Sequence, residues 1–121
     1  MKVLVRLTSN FKLEVKPLLR KFRSLADDLQ KLEKELTVTP HSGTFLGNNC
    51  YKIRLKIASK GKGKSGGARV ITFVETEIIA LTEIVNDEEI TVNLLSIYDK
   101  SDVDTISIKE LKELIKKIIG E

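Results

Sequence analysis

Cysteine and histidine each occur once in this 121-residue chain, as Cys50 and His41. One thiol cannot close an internal disulfide, and one imidazole cannot anchor a zinc cluster, so redox and metal chemistry are poor expectations. Two prolines and seven glycines, beside 41% hydrophobic and 31% charged residues, exclude low-complexity and disordered classes. Long apolar runs are missing too, and the start, MKVLVR, becomes charged again before a signal-peptide core could form. A cytoplasmic protein with no membrane contact, no metal and no small-molecule cofactor is therefore expected. The most telling absence is local. Residues 36–74 contain no Asp or Glu, yet Lys52, Arg54, Lys56, Lys60, Lys62, Lys64 and Arg69 all lie there. Residues 75–104 reverse the balance, with nine acids against Lys100 alone. Such segregation points to a polyanionic partner for the middle of the chain, with residues 52–69 as the working surface.

The length suits one domain, residues 1–121, with a core large enough to need no staples. Residues 2–8 alternate as a half-buried strand. Ser9 and Asn10 offer helix-capping oxygens before Phe11, Val15, Leu18, Leu19 and Phe22 recur at helical spacing, with Pro17 expected in the first turn. Ser24 with Asp27 is the expected cap of a second helix carrying Leu25, Leu29, Leu32 and Leu36. Composition makes residues 37–49 a loop. Tyr51, Ile53, Leu55 and Ile57 then alternate with Lys52, Arg54 and Lys56, which gives a strand with one apolar and one basic face. Residues 60–67 read as a flexible glycine-lysine loop, 68–75 as a strand, and 75–85 as either its extension or an irregular excursion. Asn86-Asp87 marks a turn before a strand at 90–98. Ser107 and Glu110 form a capping box ahead of Ile108, Leu111, Leu114, Ile115 and Ile118, and Gly120 suits the C-cap. The expected fold is α+β, in the order β-α-α-β-β-β-α. Its sheet is mainly antiparallel, with helices packed on one face and the other partly open.

Gly63-Lys64-Ser65 invites a P-loop reading, but the glycine required five positions earlier is Ala58, and the loop leads into a strand. What remains is a loop whose lysines and bare backbone amides can approach phosphates, or else a solvated hairpin tip. Arg69 should open the next strand beside the Lys52, Arg54 and Lys56 face, where a guanidinium can hold two phosphate oxygens; the alternative is a surface arginine paired with an acid. Alternation puts Tyr98 and Lys100 on one side, suited to stacking, to acid-base work or to ordinary surface. His41 has no partner placed by spacing, and Cys50 reads as a small core residue.

Taken together, the runs GTFLG (43–47), YKIR (51–54), KGKGKSGGARVI (60–71), IYDKS (97–101) and ISIKEL (106–111) resemble the RelE/HigB family of bacterial toxin-antitoxin toxins. The resemblance covers most of the chain and is most specific in GKGKSGGARVI and IYDKSD. It implies a ribosome-dependent, metal-independent endoribonuclease that cuts mRNA and so inhibits translation, held inactive by a cognate antitoxin. It further implies that Arg69 stabilises the phosphorane formed when a ribose 2′-hydroxyl attacks the adjacent phosphate. Lys100 lies near the family's second cation, and Lys64 is the candidate base. Lys60 and Lys62 belong to the RNA-binding loop, and Lys52, Arg54, Lys56 and Tyr98 complete the contact surface. One departure stands out: Asp102, Val103, Asp104 and Thr105 occupy the place where some relatives have a tyrosine. A ParE-like gyrase poison and a non-catalytic RNA-binding module are the alternatives.

Overall fold

The computed structural model describes residues 2–61, 66–81, 86–100 and 106–119. Within them the order is β1 (Lys2–Leu7), α1 (Ser9–Lys21), α2 (Leu25–Val38), β2 (Thr44–Gly47), β3 (Cys50–Leu55), a 3-10 turn (Ala58–Lys60), β4 (Ala68–Leu81), β5 (Asn86–Asp99) and α3 (Ile108–Ile119). The five strands form one sheet in the order β1-β5-β4-β3-β2. β1 runs parallel to β5 and every other pair is antiparallel. The fold is α+β as expected, with one strand more than the sequence reading gave.

That strand is β2, inside the expected loop. Asn48 and Asn49 have φ of 52° and 59°, the left-handed pair that a tight hairpin turn requires and that asparagine tolerates. The turn folds Thr44 onto Lys52 and Phe45 onto Tyr51. Asn86-Asp87 is corrected in the other direction. It opens β5 rather than forming a turn, with Leu81 opposite Asn86, so residues 75–81 extend β4.

The helix starts differ from expectation because tertiary partners compete for the capping groups. Thr8, not Ser9 or Asn10, caps α1: its oxygen accepts the Phe11 N–H at 3.2 Å while its hydroxyl donates to the Leu94 carbonyl at 2.9 Å. Pro17 lies inside α1, not in its first turn. It deprives the Leu13 carbonyl of an intrahelical donor, a loss softened because Leu13 is 69% exposed and water can reach that side. Ser24 makes no side-chain cap on α2. Its hydroxyl instead donates to Asp28 at 2.8 Å and accepts the Ser59 N–H at 2.8 Å. Buried Asp28 also accepts the Ala58 N–H at 3.2 Å, so this pair ties α2 to the 3-10 turn. Ser107 caps α3 as expected, accepting the Glu110 N–H at 3.1 Å, while its hydroxyl, rather than its backbone N–H, donates to the Glu110 carboxylate at 3.0 Å.

The helices do not share one face. Phe11 and Val15 of α1 and Leu25, Leu32 and Leu36 of α2 pack on Ile53, Leu55, Val70, Val92 and Ile97. Each such side chain fully withdrawn from water contributes roughly 1.5–3 kcal/mol. α3 lies on the opposite face, placing Leu111 against Cys50, Ile71, Leu95 and Tyr98. The reason is visible in β3, β4 and β5: Cys50, Ile71 and Leu95 alternate with the first core, so the second face is also apolar along part of its length and needs a cover.

Candidate nucleic-acid interface

Strand register builds the site. Arg54 is paired with Arg69 across β3 and β4, and Arg69 with Tyr98 across β4 and β5, so the three form one row across three strands, near the sheet end where β4 begins. The next row on that face carries Lys52 opposite Ile71. This is the α3 face, because Cys50 and Ile71 belong to it by alternation. Directly opposed residues on one face have Cβ atoms about 4.5–5.5 Å apart, which crowds two guanidinium stems together. The positive potential of Arg54 and Arg69 is therefore concentrated in one place. Lys56, exposed, follows just beyond the end of β3.

The three members of the row differ in access. Arg54 is exposed, whereas Arg69 is 4% and Tyr98 9% exposed. The Arg69 guanidinium donates to the Ala68 carbonyl at 3.1 Å. The Tyr98 hydroxyl is buried without a hydrogen-bond partner among the described residues. Burial raises the Tyr98 pKa, with the Arg69 guanidinium opposing the rise and the Glu110 carboxylate adding to it. At neutral pH Tyr98 is thus a neutral phenol, able to give a proton but not to act as a base.

Other expected site residues are placed elsewhere. Lys60 turns to the first core, where its ammonium meets the Asp99 carboxylate at 2.6 Å. Lys21 meets the other oxygen of Asp99 at 3.5 Å, and the Phe22 ring lies 5.2 and 5.4 Å from the two ammonium groups. Lys60 is accordingly not brought to the Arg54–Arg69–Tyr98 row. Lys100 is exposed at the end of β5, its N–H donating to the Gly67 carbonyl at 3.2 Å, so it stands at the sheet end where β4 begins. Lys62 and Lys64 lie outside the described residues.

Two features escaped the sequence reading. Asp99 sits in the acidic stretch assigned as the counterweight of the basic one, yet its side chain is 1% exposed and anchors Lys60. The signal available was strand alternation, which sets Asp99 opposite in face to Tyr98. His41, given no role, packs edge-on against Tyr51 at 5.6 Å, and Phe45 tilts against the same ring at 5.3 Å. Cys50 is wholly buried and its thiol pKa is pushed up to about 11, so it belongs to the core and not to nucleophilic chemistry.

Among the described residues, no cluster of His, Cys, Asp and Glu could hold a metal ion, and no helix is long and apolar enough to cross a membrane. No protein-family model matches the chain.

Proposed function

We propose that this chain is a RelE/HigB-type toxin that engages mRNA on the ribosome and cuts its backbone without a metal, and that a cognate antitoxin protein holds it in check. The observation that carries the reading is the Arg54–Arg69–Tyr98 row on a basic sheet face. In the proposed reaction the 2′-hydroxyl oxygen attacks the adjacent phosphorus, the bond to the 5′ oxygen breaks, and a 2′,3′-cyclic phosphate remains. Two guanidinium groups on neighbouring strands suit the added charge of the phosphorane. Tyr98 is a proposed RNA contact in the row; its hydroxyl is buried, so the departing 5′ oxygen takes its proton from solvent. Lys64 is the proposed acceptor of the 2′-hydroxyl proton, and Lys100 the second cation at the sheet end.

One observation favours a second reading, a non-catalytic RNA-binding module. Arg69 is 4% exposed, so the exposed cations Arg54 and Lys56 meet a phosphate before it does. Expression of the chain in a sensitive bacterium separates the readings. The toxin reading expects arrested protein synthesis with truncated messages, relieved by the neighbouring gene's product. Unaffected growth and intact messages, with soluble protein present, would remove it.

A further inference from the structure

We propose that β1 is the seam of a homodimer, in which the β1 strands of two copies pair antiparallel and join two five-stranded sheets into one. β1 ends the sheet, bonded to β5 alone. The Thr8 N–H turns inward to the Leu94 carbonyl at 3.2 Å, so by alternation the backbone groups of Val3, Val5 and Leu7 point outward, where no strand among the described residues meets them. An open edge invites pairing unless a charge, a proline, a bulge or short length blunts it. The far end of the sheet is blunted in this way: β2 has four residues and an irregular register between Phe45 and Gly47, and exposed Arg54 and Lys56 flank the strand inside it. β1 lacks these defences. It has six residues, no proline and an unbroken register, and of its two cations Lys2 stands at the end while the Arg6 guanidinium turns inward to Asn93 at 3.3 Å. Leu4 and Leu7 are instead 41% and 44% exposed.

The strand is complementary to itself. A two-fold axis normal to the sheet beside Val5 sets Val5 against the partner's Val5 and Val3 against the partner's Leu7 on the helix face, and Leu4 against the partner's Arg6 on the other. Apolar side chains then meet apolar ones or the stem of an arginine, and no like charges are opposed. Moving the axis to Leu4 would set Lys2 against the partner's Arg6, cation against cation, so the first register is the one proposed. The same axis keeps the helices of both copies on one side. The two apolar grooves beside β1, each of about 430 Å³ and lined by Leu7, Leu19 and Leu29, therefore adjoin across the seam. A stable interface buries roughly 1,200–2,000 Å² in total, more than a pair of six-residue strands supplies, and these groove walls, with Leu19 40% exposed, are where the remainder lies. The proposal stands apart from the RNA reading: β1 runs along β5 no further than Leu94, so the seam leaves the Arg54–Arg69–Tyr98 row uncovered.

The test is sedimentation equilibrium together with amide hydrogen exchange by NMR, on the intact chain and without RNA. Wild type should dimerise with a dissociation constant of about 10 µM or tighter, the weak end of what an interface of that size gives. The amides of Val3, Val5 and Leu7 should exchange more slowly as protein concentration rises, and those of residues 44–47 should not change. Leu4→Lys opposes the partner's Arg6 twice per dimer and should weaken association by roughly tenfold or more, whereas Leu4→Glu, equally polar, should stay within about threefold of wild type because it faces the same cation. Leu4 is exposed, and circular dichroism checks the fold of both variants. A monomer at roughly 100 µM, association that leaves exchange at Val3, Val5 and Leu7 unchanged, or equal weakening by Lys and Glu would each overturn the proposal, and the first two outcomes need no variant.

Discussion

Replacing Lys60 by methionine should cost stability rather than RNA affinity. Lys60 and Asp99 meet at 2.6 Å with side chains 14% and 1% exposed, so the contact is shielded from the screening that makes surface pairs nearly worthless. Removing one member of a buried pair strands the other, at a typical cost of about 3–5 kcal/mol. Here Lys21 still stands 3.5 Å from Asp99, but its side chain is 57% exposed and it offsets only part of the loss. Methionine also keeps a long apolar stem beside Phe22. The expected loss is at the low end, about 3 kcal/mol, read as a lower urea midpoint with unchanged slope. In a domain of this size that lowers Tm by roughly 10–15 °C. Adding Asp99→Asn should restore roughly 1–2 kcal/mol, since the stranded charge disappears. The salt dependence of RNA binding should stay as in wild type. A stability loss under about 0.5 kcal/mol, together with an RNA salt slope reduced by about one, would refute the buried-pair account and return Lys60 to the binding surface.

Two further predictions test the fold. A Cβ on Gly67 would lie 2.0 Å from the Leu55 carbonyl oxygen, a backbone atom that cannot turn aside, so Gly67→Ala should lose roughly 3 kcal/mol or more in urea unfolding or fail to fold. Gly61 has φ of 70° and open space around it, so Gly61→Ala should lose only the left-handed strain of about 1–2 kcal/mol; equal losses at the two sites would contradict this. Alkaline stability follows from Cys50, whose thiol ordinarily ionises at 9.0 but is raised to about 11 in the fold. Between those values the unfolded chain has released a proton that the folded chain retains, so stability falls as pH rises, by roughly 2–3 kcal/mol at pH 11. The buried Tyr98 hydroxyl, raised from its ordinary 10.0, acts in the same direction from about pH 10 upward. Cys50→Ala should make the decline between pH 9 and 11 shallower, and identical slopes would contradict the burial argument.

The sequence made the periodic elements legible. Strand β3, the leucine stripe of α2 and the Ser107 cap of α3 stand where alternation and helical spacing put them, because each rests on local chemistry. What it hid was set by long-range competition. The Ser24 hydroxyl is drawn to Asp28 and Ser59, and the Thr8 hydroxyl to Leu94, so the cap residues could not be chosen from neighbours alone. β2 was concealed by glycines and asparagines that read as loop but also supply the left-handed turn. Of the expected site, alternation gave the shared face of Lys52 and Arg54, Arg69 was expected beside it, and the sheet register sets Arg69 opposite Arg54 and adds Tyr98 to the row. Lys60 was assigned by charge, which does not reveal which side of the sheet a residue leaving the strand will choose. The choice was decided by Asp99, 39 positions away.

The central claim is that the Arg54–Arg69–Tyr98 row cleaves RNA, and single-turnover cleavage of mRNA on programmed ribosomes, in excess chelator, tests it most directly. The account predicts products ending in 2′,3′-cyclic phosphate. It also predicts a rate that falls roughly a hundredfold or more in Arg69→Ala at saturating protein, with little change in ribosome affinity. Because Arg69 is buried, the fold of the variant is checked by circular dichroism in the same preparation, and Arg69→Lys should restore the rate only in part. Intact message at saturating wild-type protein, or a folded Arg69→Ala that cuts at the wild-type rate, would contradict it.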